Sequence, residues 1–363
     1  MKAGIVAALI VALGGLTSCS SSSKTFLYAT GPGTNEVFQF QIHSNGTLTP
    51  LNPGNFGVGS NPASVVFHPP GDFAYVANFS GINVTLLAVN RGNGQLSLPV
   101  STSPIPPPLP PNIFNTGTGP VAMAVTSNGN ILFVLNQGSN NISGFAIDPT
   151  TGNLNPVAGS PFVTPCSGSS LTITPKADVL FVTCPALGTI EALTINSQGV
   201  LSSPSQASGP FGTPTFASVD PTGRFLFVAD STTNAVLAFS IGGNGALTSI
   251  SGSPFAAGTQ PVALAAAPEG NLLYVANQGS NNVSAFVIDK NSGTLGAVSG
   301  SPFPTGGKLP SFVAASGAFV YVADQGTNDI AAFSIGSNGA LTAVPNSPFS
   351  VATSPVWITL LKE

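Results

Sequence analysis

The chain has 363 residues, of which 42% are hydrophobic and only 6% are charged, and its formal net charge is −4. A chain with so few cations has no basic surface, so we expect no nucleic-acid partner. The hydrophobic residues come in short alternating runs, and none after the N-terminus is long enough to cross a bilayer. With 42 Gly and 33 Pro between those runs, the composition is typical of a β-rich globular protein.

The first 25 residues have the features of a processing signal. Lys2 supplies a positive charge, residues 5–16 are mostly apolar, and Leu16-Thr-Ser-Cys19 resembles the bacterial lipobox. That resemblance implies a signal peptide over 1–18 and a lipidated, Ser-rich tether over 19–25. We therefore predict an exported protein anchored to the cell envelope, at the outer membrane, through lipid on Cys19 and with no other membrane contact. The alternative is an ordinary secretory signal with an incidental cysteine.

A short apolar strand that ends in a small, amide or carboxyl residue recurs seven times. The copies begin at residues 26, 73, 131, 179, 225, 272 and 319. Successive copies are 46 to 48 residues apart, apart from one interval of 58. A period in this range, with alternating β-branched and aromatic residues between Gly, Asn and Pro turns, is typical of propeller blades.

Each repeat divides into four strands, as the copy that begins at Pro261 illustrates. Its strands are expected at 261–267, 272–277, 282–288 and 295–299. The chain begins with the second strand of a blade and ends, at 355–361, with a first strand. We therefore predict an all-β, seven-bladed β-propeller of four-stranded antiparallel blades over 26–361. The C-terminal strand should join the N-terminal blade and close the ring.

The long interval contains a Pro-rich insertion over 99–119. We predict a stiff polyproline segment in the loop that joins a fourth strand to the next first strand. It is either an inert excursion or a partial lid or docking arm.

A phenylalanine that follows Pro recurs late in five repeats, at Phe162, Phe211, Phe255, Phe303 and Phe349. Repeated aromatic residues in a β-array usually pack between blades. We assign these five to the core.

Cys166 and Cys184 flank a predicted hairpin that turns at residues 175–178. Antiparallel pairing places them almost opposite each other, and export permits a bridge. We predict a Cys166–Cys184 disulfide, the alternative being two buried thiols.

The repeat now carries a specific resemblance. Tyr75-Val-Ala-Asn78, Tyr274-Val-Ala-Asn277, Tyr321-Val-Ala-Asp324 and the segment Asp220-Pro-Thr-Gly-Arg-Phe225 resemble the YVTN/lactonase-like seven-bladed propellers. That family includes 6-phosphogluconolactonases, a carboxymuconate cycloisomerase and many exported members without an established activity. The resemblance implies the fold over nearly the whole mature chain, and it implies His, Arg and carboxylates above the central channel of an active member.

The strand order sorts the charges onto two faces. We call the face with the two-to-three and four-to-one loops the ligand face, and the opposite one the turn face. The cationic residues predicted on the turn face are His43, His68, Arg91, Arg224, Lys24, Lys176, Lys290 and Lys362. Only Lys308 is expected on the ligand face, so a phosphorylated sugar would find few cations there.

Amides and carboxylates are expected on the ligand face instead. The candidate ligand-face residues are Asn78, Asn136, Asp230, Asn277, Asp324, Asp329 and Lys308. Asp230, Asp324 and Glu36 are the candidates for a carboxylate base. Asn and Asp also favour tight turns for their own backbone chemistry. Asp324 with Asp329 offers too few ligands to define a metal site, so we predict neither metal nor cofactor.

Two functions follow. The first is a monomeric, lipid-anchored binding module whose polar, mildly acidic face takes a small neutral ligand, a cation or a protein. The alternative is an exported lactonase-like hydrolase that acts on a sugar-type or neutral lactone with a carboxylate general base.

Overall fold

The computed structural model describes residues 24–99, 112–203, 205–208 and 211–362. Apart from one 3-10 turn at Gly243–Gly245, these residues form strands and their connections. Within these ranges there is no helix with the length and hydrophobicity of a membrane span. The predicted signal peptide, Cys19 and residues 100–111 of the Pro-rich segment lie outside the described residues.

The strands form seven antiparallel sheets arranged as blades 1 to 7, each with strands a to d from the channel outward. The a strands of blades 1 to 7 are Trp357–Lys362, Pro62–Phe67, Pro120–Val125, Ser170–Ile173, Pro214–Val219, Pro261–Ala266 and Pro310–Ala315. The b strands are Thr25–Gly31, Phe73–Asn78, Ile131–Asn136, Val179–Cys184, Phe225–Asp230, Leu272–Asn277 and Phe319–Asp324. The c strands are Glu36–Ile42, Asn83–Val89, Asn141–Ile147, Thr189–Thr194, Ala235–Ile241, Asn282–Ile288 and Asp329–Ile335.

The outermost d strand is continuous in blades 1 and 4, at Leu48–Gly57 and Ser205–Ser208. In the other five blades it consists of two short segments that both pair with strand c. These segments are Leu96–Ser97 with Ile113–Asn115, Leu154–Pro156 with Phe162–Val163, Leu247–Ser249 with Phe255–Ala256, Leu295–Ala297 with Phe303–Pro304, and Leu341–Ala343 with Phe349–Ser350. The seven-bladed, all-β prediction is confirmed.

The C-terminal strand closes the ring as predicted. Trp357–Lys362 pairs antiparallel with Thr25–Gly31, in a register that runs from Thr25 opposite Lys362 to Thr30 opposite Trp357. The first and last segments of the propeller therefore share one blade, and neither leaves an unpaired inner edge.

Buried tyrosines join neighbouring blades. The hydroxyl of Tyr75 donates to the carbonyl of Gly152 at 2.8 Å, and that of Tyr321 donates to Gly46 at 3.1 Å. The second bond links blade 7 to blade 1 and so reinforces the closure. Both tyrosines are fully buried. Burial raises the pKa of each hydroxyl, so the proton that makes the bond is retained.

The predicted Cys166–Cys184 disulfide is present, with the two Cα atoms 5.7 Å apart. It ties the loop before strand a of blade 4 to the end of strand b of the same blade. The recurring phenylalanines also lie as expected: Phe162, Phe255 and Phe349, for example, are half-buried against the inter-blade core.

The Pro-rich insertion does not lie where the sequence suggested. Leu96–Ser97 and Ile113–Asn115 both pair with strand c of blade 2, so the insertion interrupts strand d. The prediction that it is a four-to-one loop over the ligand face is wrong. Its described ends lie at the outer edge of the blade, because strand d tolerates a break that the inner strands do not.

Candidate functional site

A cavity of about 440 Å³ opens at the ligand-face end of the central channel, and we call it the mouth. In five blades the second residue of strand a lines the wall of the mouth. In blades 4 and 1 the matching residues, Ser169 and Val356, lie just before that strand. These wall residues are Ala63, Val121, Ser169, Thr215, Val262, Ser311 and Val356. No charged side chain of the described residues lines the mouth.

The next position along strand a forms the floor of the mouth. Phe216, Phe312 and Trp357 occupy it in blades 5, 7 and 1. Sequence reasoning missed these three residues because it considered only polar and charged side chains as candidates on the ligand face. The available signal was an aromatic residue two places after the proline that opens the strand.

The predicted ligand-face asparagines are completely buried at the ends of their b strands. Asn78 Nδ2 donates to Asn83 Oδ1 at 2.7 Å and to Thr85 Oγ1 at 2.8 Å. Asn136 and Asn277 repeat both bonds in blades 3 and 6. These side chains tie strand b to strand c within their own blades, and they do not line the mouth.

Blade 7 replaces this amide pair with two carboxyl groups. Asp324 lies opposite Asp329 in the register of strands b and c, and Ala331 stands where blade 2 has Thr85. Asp324 is completely buried and Asp329 is 8% exposed. Neither Asp324 oxygen has a hydrogen bond of good geometry among the described residues, and the same holds for Asp329 Oδ1.

Burial raises the pKa of Asp324 to about 7. The nearby Thr305 hydroxyl opposes this shift, and the Asp329 charge adds to it. The pKa of Asp329 is also raised, mainly by burial. Because two buried carboxylates repel each other when both are ionised, the negative charge of Asp329 adds to the burial that opposes ionisation of Asp324.

Asp230 occupies the same position in blade 5 with the opposite environment. Its Oδ2 accepts from the amide of Gly212 at 2.9 Å, and its Oδ1 accepts from that of Thr213 at 2.9 Å. Two more amides, of Thr232 and Thr233, donate to Oδ1 at 3.2 and 3.1 Å. Four backbone amides therefore satisfy this carboxylate, which acts as a structural cap.

The structure does not assemble the three predicted base candidates into one site. Glu36 starts strand c of blade 1 and accepts from Asn55 Nδ2 at 2.5 Å. Asp230 and Asp324 lie in blades 5 and 7, and none of the three lines the mouth. Asp324 is adjacent in sequence to the mouth, because the next residue, Gln325, lines that cavity.

A glycine-rich loop covers the Asp324 carboxyl. A Cβ atom added to Gly307 would lie 2.5 Å from Asp324 Oδ2. Gly306, with φ of 82°, precedes it, and exposed Lys308 follows it. The amide of Lys308 donates to Thr327 Oγ1 at 3.0 Å, which fastens the loop to the turn before Asp329.

Several cationic residues line a cavity that shares no described residue with the mouth. Lys24, His43 and Lys362 line a second cavity of about 850 Å³ together with Glu269. His68 is 4% exposed, and burial lowers its pKa. Within the described ranges, no three His, Cys, Asp or Glu residues lie close enough together to hold a metal ion.

Comparisons with known proteins place this geometry among propellers. The family model described as "Lactonase, 7-bladed beta-propeller" matches residues 18–219 and 215–311. A 6-phosphogluconolactonase of Bacillus subtilis is 26% identical over 129 residues, which are 36% of this chain and only 35% of that relative. The periplasmic gluconolactonase of Pseudomonas aeruginosa superposes with a TM-score of 0.76 at 20% identity, over 94% of this chain and 99% of that one. A candidate 6-phosphogluconolactonase from Bacteroides fragilis superposes with a TM-score of 0.78 at 23% identity, over 95% and 99% of the two chains.

Proposed function

The chain belongs to the family of seven-bladed β-propeller lactonases, and on that basis we propose that it hydrolyses a lactone whose ring carries no phosphate. Fold alone does not specify an activity, so the proposal also rests on the site. Two features support it. The mouth has no charged lining among the described residues, and Asp324, which precedes the mouth-lining Gln325, has a pKa raised to about 7, the range of a general base at neutral pH.

The preference for a neutral lactone follows from the charge distribution. A phosphate dianion is held by cations, above all by Arg in bidentate geometry. Among the described residues, Arg91 follows strand c of blade 2 and Arg224 precedes strand b of blade 5, at the strand ends away from the mouth. The exposed Lys308 precedes strand a of blade 7, at the end near the mouth. The named substrate of the periplasmic relative, a gluconolactone, likewise carries no phosphate.

The observation that carries the proposal is the contrast between Asp324 and Asp230. Both end strand b, but Asp230 accepts four amide hydrogen bonds and Asp324 has no comparable amide donors. A carboxyl group whose pKa is raised to about 7 is half ionised at neutral pH and can both accept and return a proton. Environments that separate two otherwise equivalent carboxyls are typical of acid and base assignments.

In the proposed reaction, the Asp324 carboxylate accepts a proton from water while the water oxygen bonds to the lactone carbonyl carbon. The bond between that carbon and the ring oxygen then breaks. The protonated Asp324 returns its proton to the departing alkoxide, which yields an open-chain hydroxy acid. For the carboxyl to reach a lactone in the mouth, the loop at Gly306–Gly307 must move aside from Asp324.

We further propose that the reaction takes place outside the cytoplasm. The lipobox-like segment ending at Cys19 supports export and lipid anchoring. The disulfide at Cys166–Cys184 is compatible with an oxidising compartment.

The test is a hydrolysis assay on matched substrates. Purified protein would be given D-glucono-δ-lactone, the aromatic lactone dihydrocoumarin and 6-phosphogluconolactone, with acid release followed by titration. We expect turnover of at least one neutral lactone and none of the phosphorylated one. Asp324→Asn should reduce kcat by about a hundredfold or more, the usual loss for a general base. Asp230→Asn, the matched control, should retain wild-type kcat in the folded fraction.

A different outcome would favour the binding module that the sequence also suggested. If the folded protein binds neutral lactones without hydrolysing any of them, the mouth is a binding site and Asp324 has no catalytic role. Preferential turnover of 6-phosphogluconolactone would contradict both the neutral substrate and the charge argument.

A further inference from the structure

We propose that the mouth selects a lactone with a flat apolar face, such as one fused to an aromatic ring, over a polyhydroxylated sugar lactone. That the ligand is a lactone rests on the proposed function. The preference for a flat apolar ligand rests separately on the floor formed by Phe216, Phe312 and Trp357.

The propeller does not need aromatic residues at the floor position. The equivalent residues of the other four blades are small: Ser64, Ala122, Ser170 and Ala263. Each occupies the same register opposite strand b, so the ring forms equally well around Ala or Ser. Aromatic residues in blades 5, 7 and 1 therefore serve something other than closure of the fold.

The three rings form one continuous surface. The centroids of Phe312 and Trp357 are 4.2 Å apart at an interplanar angle of 32°. Phe216 meets Phe312 edge-on at 5.4 Å and lies 6.2 Å from Trp357. These are favourable aromatic separations. Phe216 and Trp357 remain partly exposed, although they are large apolar side chains in the interior of the ring.

The floor divides the channel into two spaces. The same three side chains line both the mouth and another cavity, of about 500 Å³, that lies deeper in the channel. A ligand that enters from the ligand face therefore stops on the aromatic surface. A planar apolar ring gains stacking and burial there.

The polar groups of the wall offer little to a sugar. The hydroxyls of Ser169, Thr215 and Ser311 donate to the carbonyls of Thr215, Pro261 and Pro355 in neighbouring blades, at 2.7, 3.0 and 2.9 Å. Because those protons are already engaged, the remaining side-chain donors among the described residues that line the mouth are the amides of Asn61 and Gln325. The Asn61 amide already donates to Ser80 Oγ at 3.3 Å. A polyhydroxylated lactone would lose hydrogen bonds to water without regaining them, which disfavours its binding.

Trp357 is the single tryptophan of the chain, so its fluorescence reports occupancy of the floor directly. The experiment titrates Asp324→Asn protein with dihydrocoumarin, D-glucono-δ-lactone and 6-phosphogluconolactone. The Asp324→Asn background suppresses turnover and so separates binding from catalysis. We expect dihydrocoumarin to change the Trp357 signal with a Kd at least about tenfold below that of gluconolactone, as one or two aromatic contacts would give.

Variants locate the effect at the floor. Phe216→Ala, which installs the residue that blade 6 has at Ala263, should weaken dihydrocoumarin binding about tenfold. Phe312→Leu should weaken it similarly and is the milder change if Phe216→Ala does not fold. Phe303→Ala is the control, because this ring packs on the outer strand of blade 6 and does not line the mouth.

Gluconolactone binding as tight as dihydrocoumarin binding would overturn the selection, as would unchanged affinity in both floor variants. The two proposals fail separately. Tight binding of dihydrocoumarin without hydrolysis of any lactone by the wild type would leave the selection standing and remove the activity. Hydrolysis of gluconolactone in preference to dihydrocoumarin would support the lactonase activity and contradict the selection for a flat apolar ligand.

Discussion

Replacing Asp324 by Asn should stabilise the protein at neutral and alkaline pH, whereas the same change at Asp230 should destabilise it. The two residues end strand b in blades 7 and 5. Asn is the residue that three other blades place there, where its Nδ2 donates to strand c. In Asp324→Asn the new amide would face Asp329 in the same register.

The magnitude follows from the proton that Asp324 holds. Its pKa rises from 3.8 to about 7 on folding, so the folded protein binds this proton more tightly than the unfolded chain does. The free energy of unfolding therefore falls as pH rises from about 4 to about 7 and is constant above that range. At 1.36 kcal/mol per pKa unit, the loss reaches up to about 4 kcal/mol. Asn at this position does not titrate and escapes the loss.

At Asp230 the change has the opposite sign. The carboxylate accepts four backbone amides through its two oxygens, and Asn would present an NH₂ group to one or more of those donors. Leaving a buried donor unsatisfied costs about 1–3 kcal/mol. Asp230→Asn should be destabilised by about that amount.

Urea unfolding of the wild type and both variants, at about pH 5 and about pH 8, measures these differences. We expect Asp324→Asn to exceed the wild type at the higher pH and to depend less on pH. Equal pH dependence in the wild type and Asp324→Asn, or a lower stability of Asp324→Asn at the higher pH, would refute the reasoning about this carboxyl pair.

Three further predictions concern the ring, the bridge and the anchor. Deleting 357–362 removes the strand that pairs with Thr25–Gly31, and the truncated protein should lose its single cooperative melting transition; an unchanged melting curve would contradict the closure. The Cys166→Ser and Cys184→Ser double variant opens a loop with a sequence separation of 18, which should lower stability by about 3 kcal/mol in denaturant titrations, and a loss near zero would argue against a stabilising bridge. Cys19→Ala should leave the protein unanchored or its signal uncleaved, as cell fractionation with mass measurement would show, whereas a mature-length chain still in the membrane fraction would disprove lipidation there.

Much of the fold was predictable because a propeller repeats one four-stranded unit along the chain. Alternating strands at a spacing of 46 to 48 residues determine the blade, and the offset between first and last strands determines the closure. The disulfide followed from register alone, since Cys166 and Cys184 flank one hairpin. Turn asparagines such as Asn140 and Asn281 do adopt positive φ, of 51° and 53°, as their backbone chemistry predicts.

The position of the Pro-rich insertion was not predictable from spacing. Residue counts locate an insertion only between two recognisable strands, and the outer half of strand d at Ile113–Asn115 has too few residues to be recognised. Its pairing with strand c depends on contacts between distant parts of the chain.

The candidate site was only partly predictable. The sequence identified Asp230 and Asp324 as equivalent, and they are equivalent in position. Their environments differ, because Asp230 accepts backbone amides whereas Asp324 is buried without such donors, and a strand pattern does not reveal this. The sequence did contain one sign of the carboxyl pair. Asp329 follows Asp324 by five residues, the same spacing that separates Asn78 from Asn83 in blade 2.

The most direct test of the proposed activity is the pH dependence of kcat/KM for a neutral lactone. The account predicts that kcat/KM rises with pH and levels off above an apparent pKa of about 7, to which burial raises the pKa of Asp324, because the base acts only when ionised. Asp324→Asn should lose both the rate and this inflection, while Asp230→Asn should retain both. A wild-type profile without an inflection between about pH 6 and about pH 8, or an Asp324→Asn variant with wild-type kcat/KM, would contradict the assignment of Asp324 as the base.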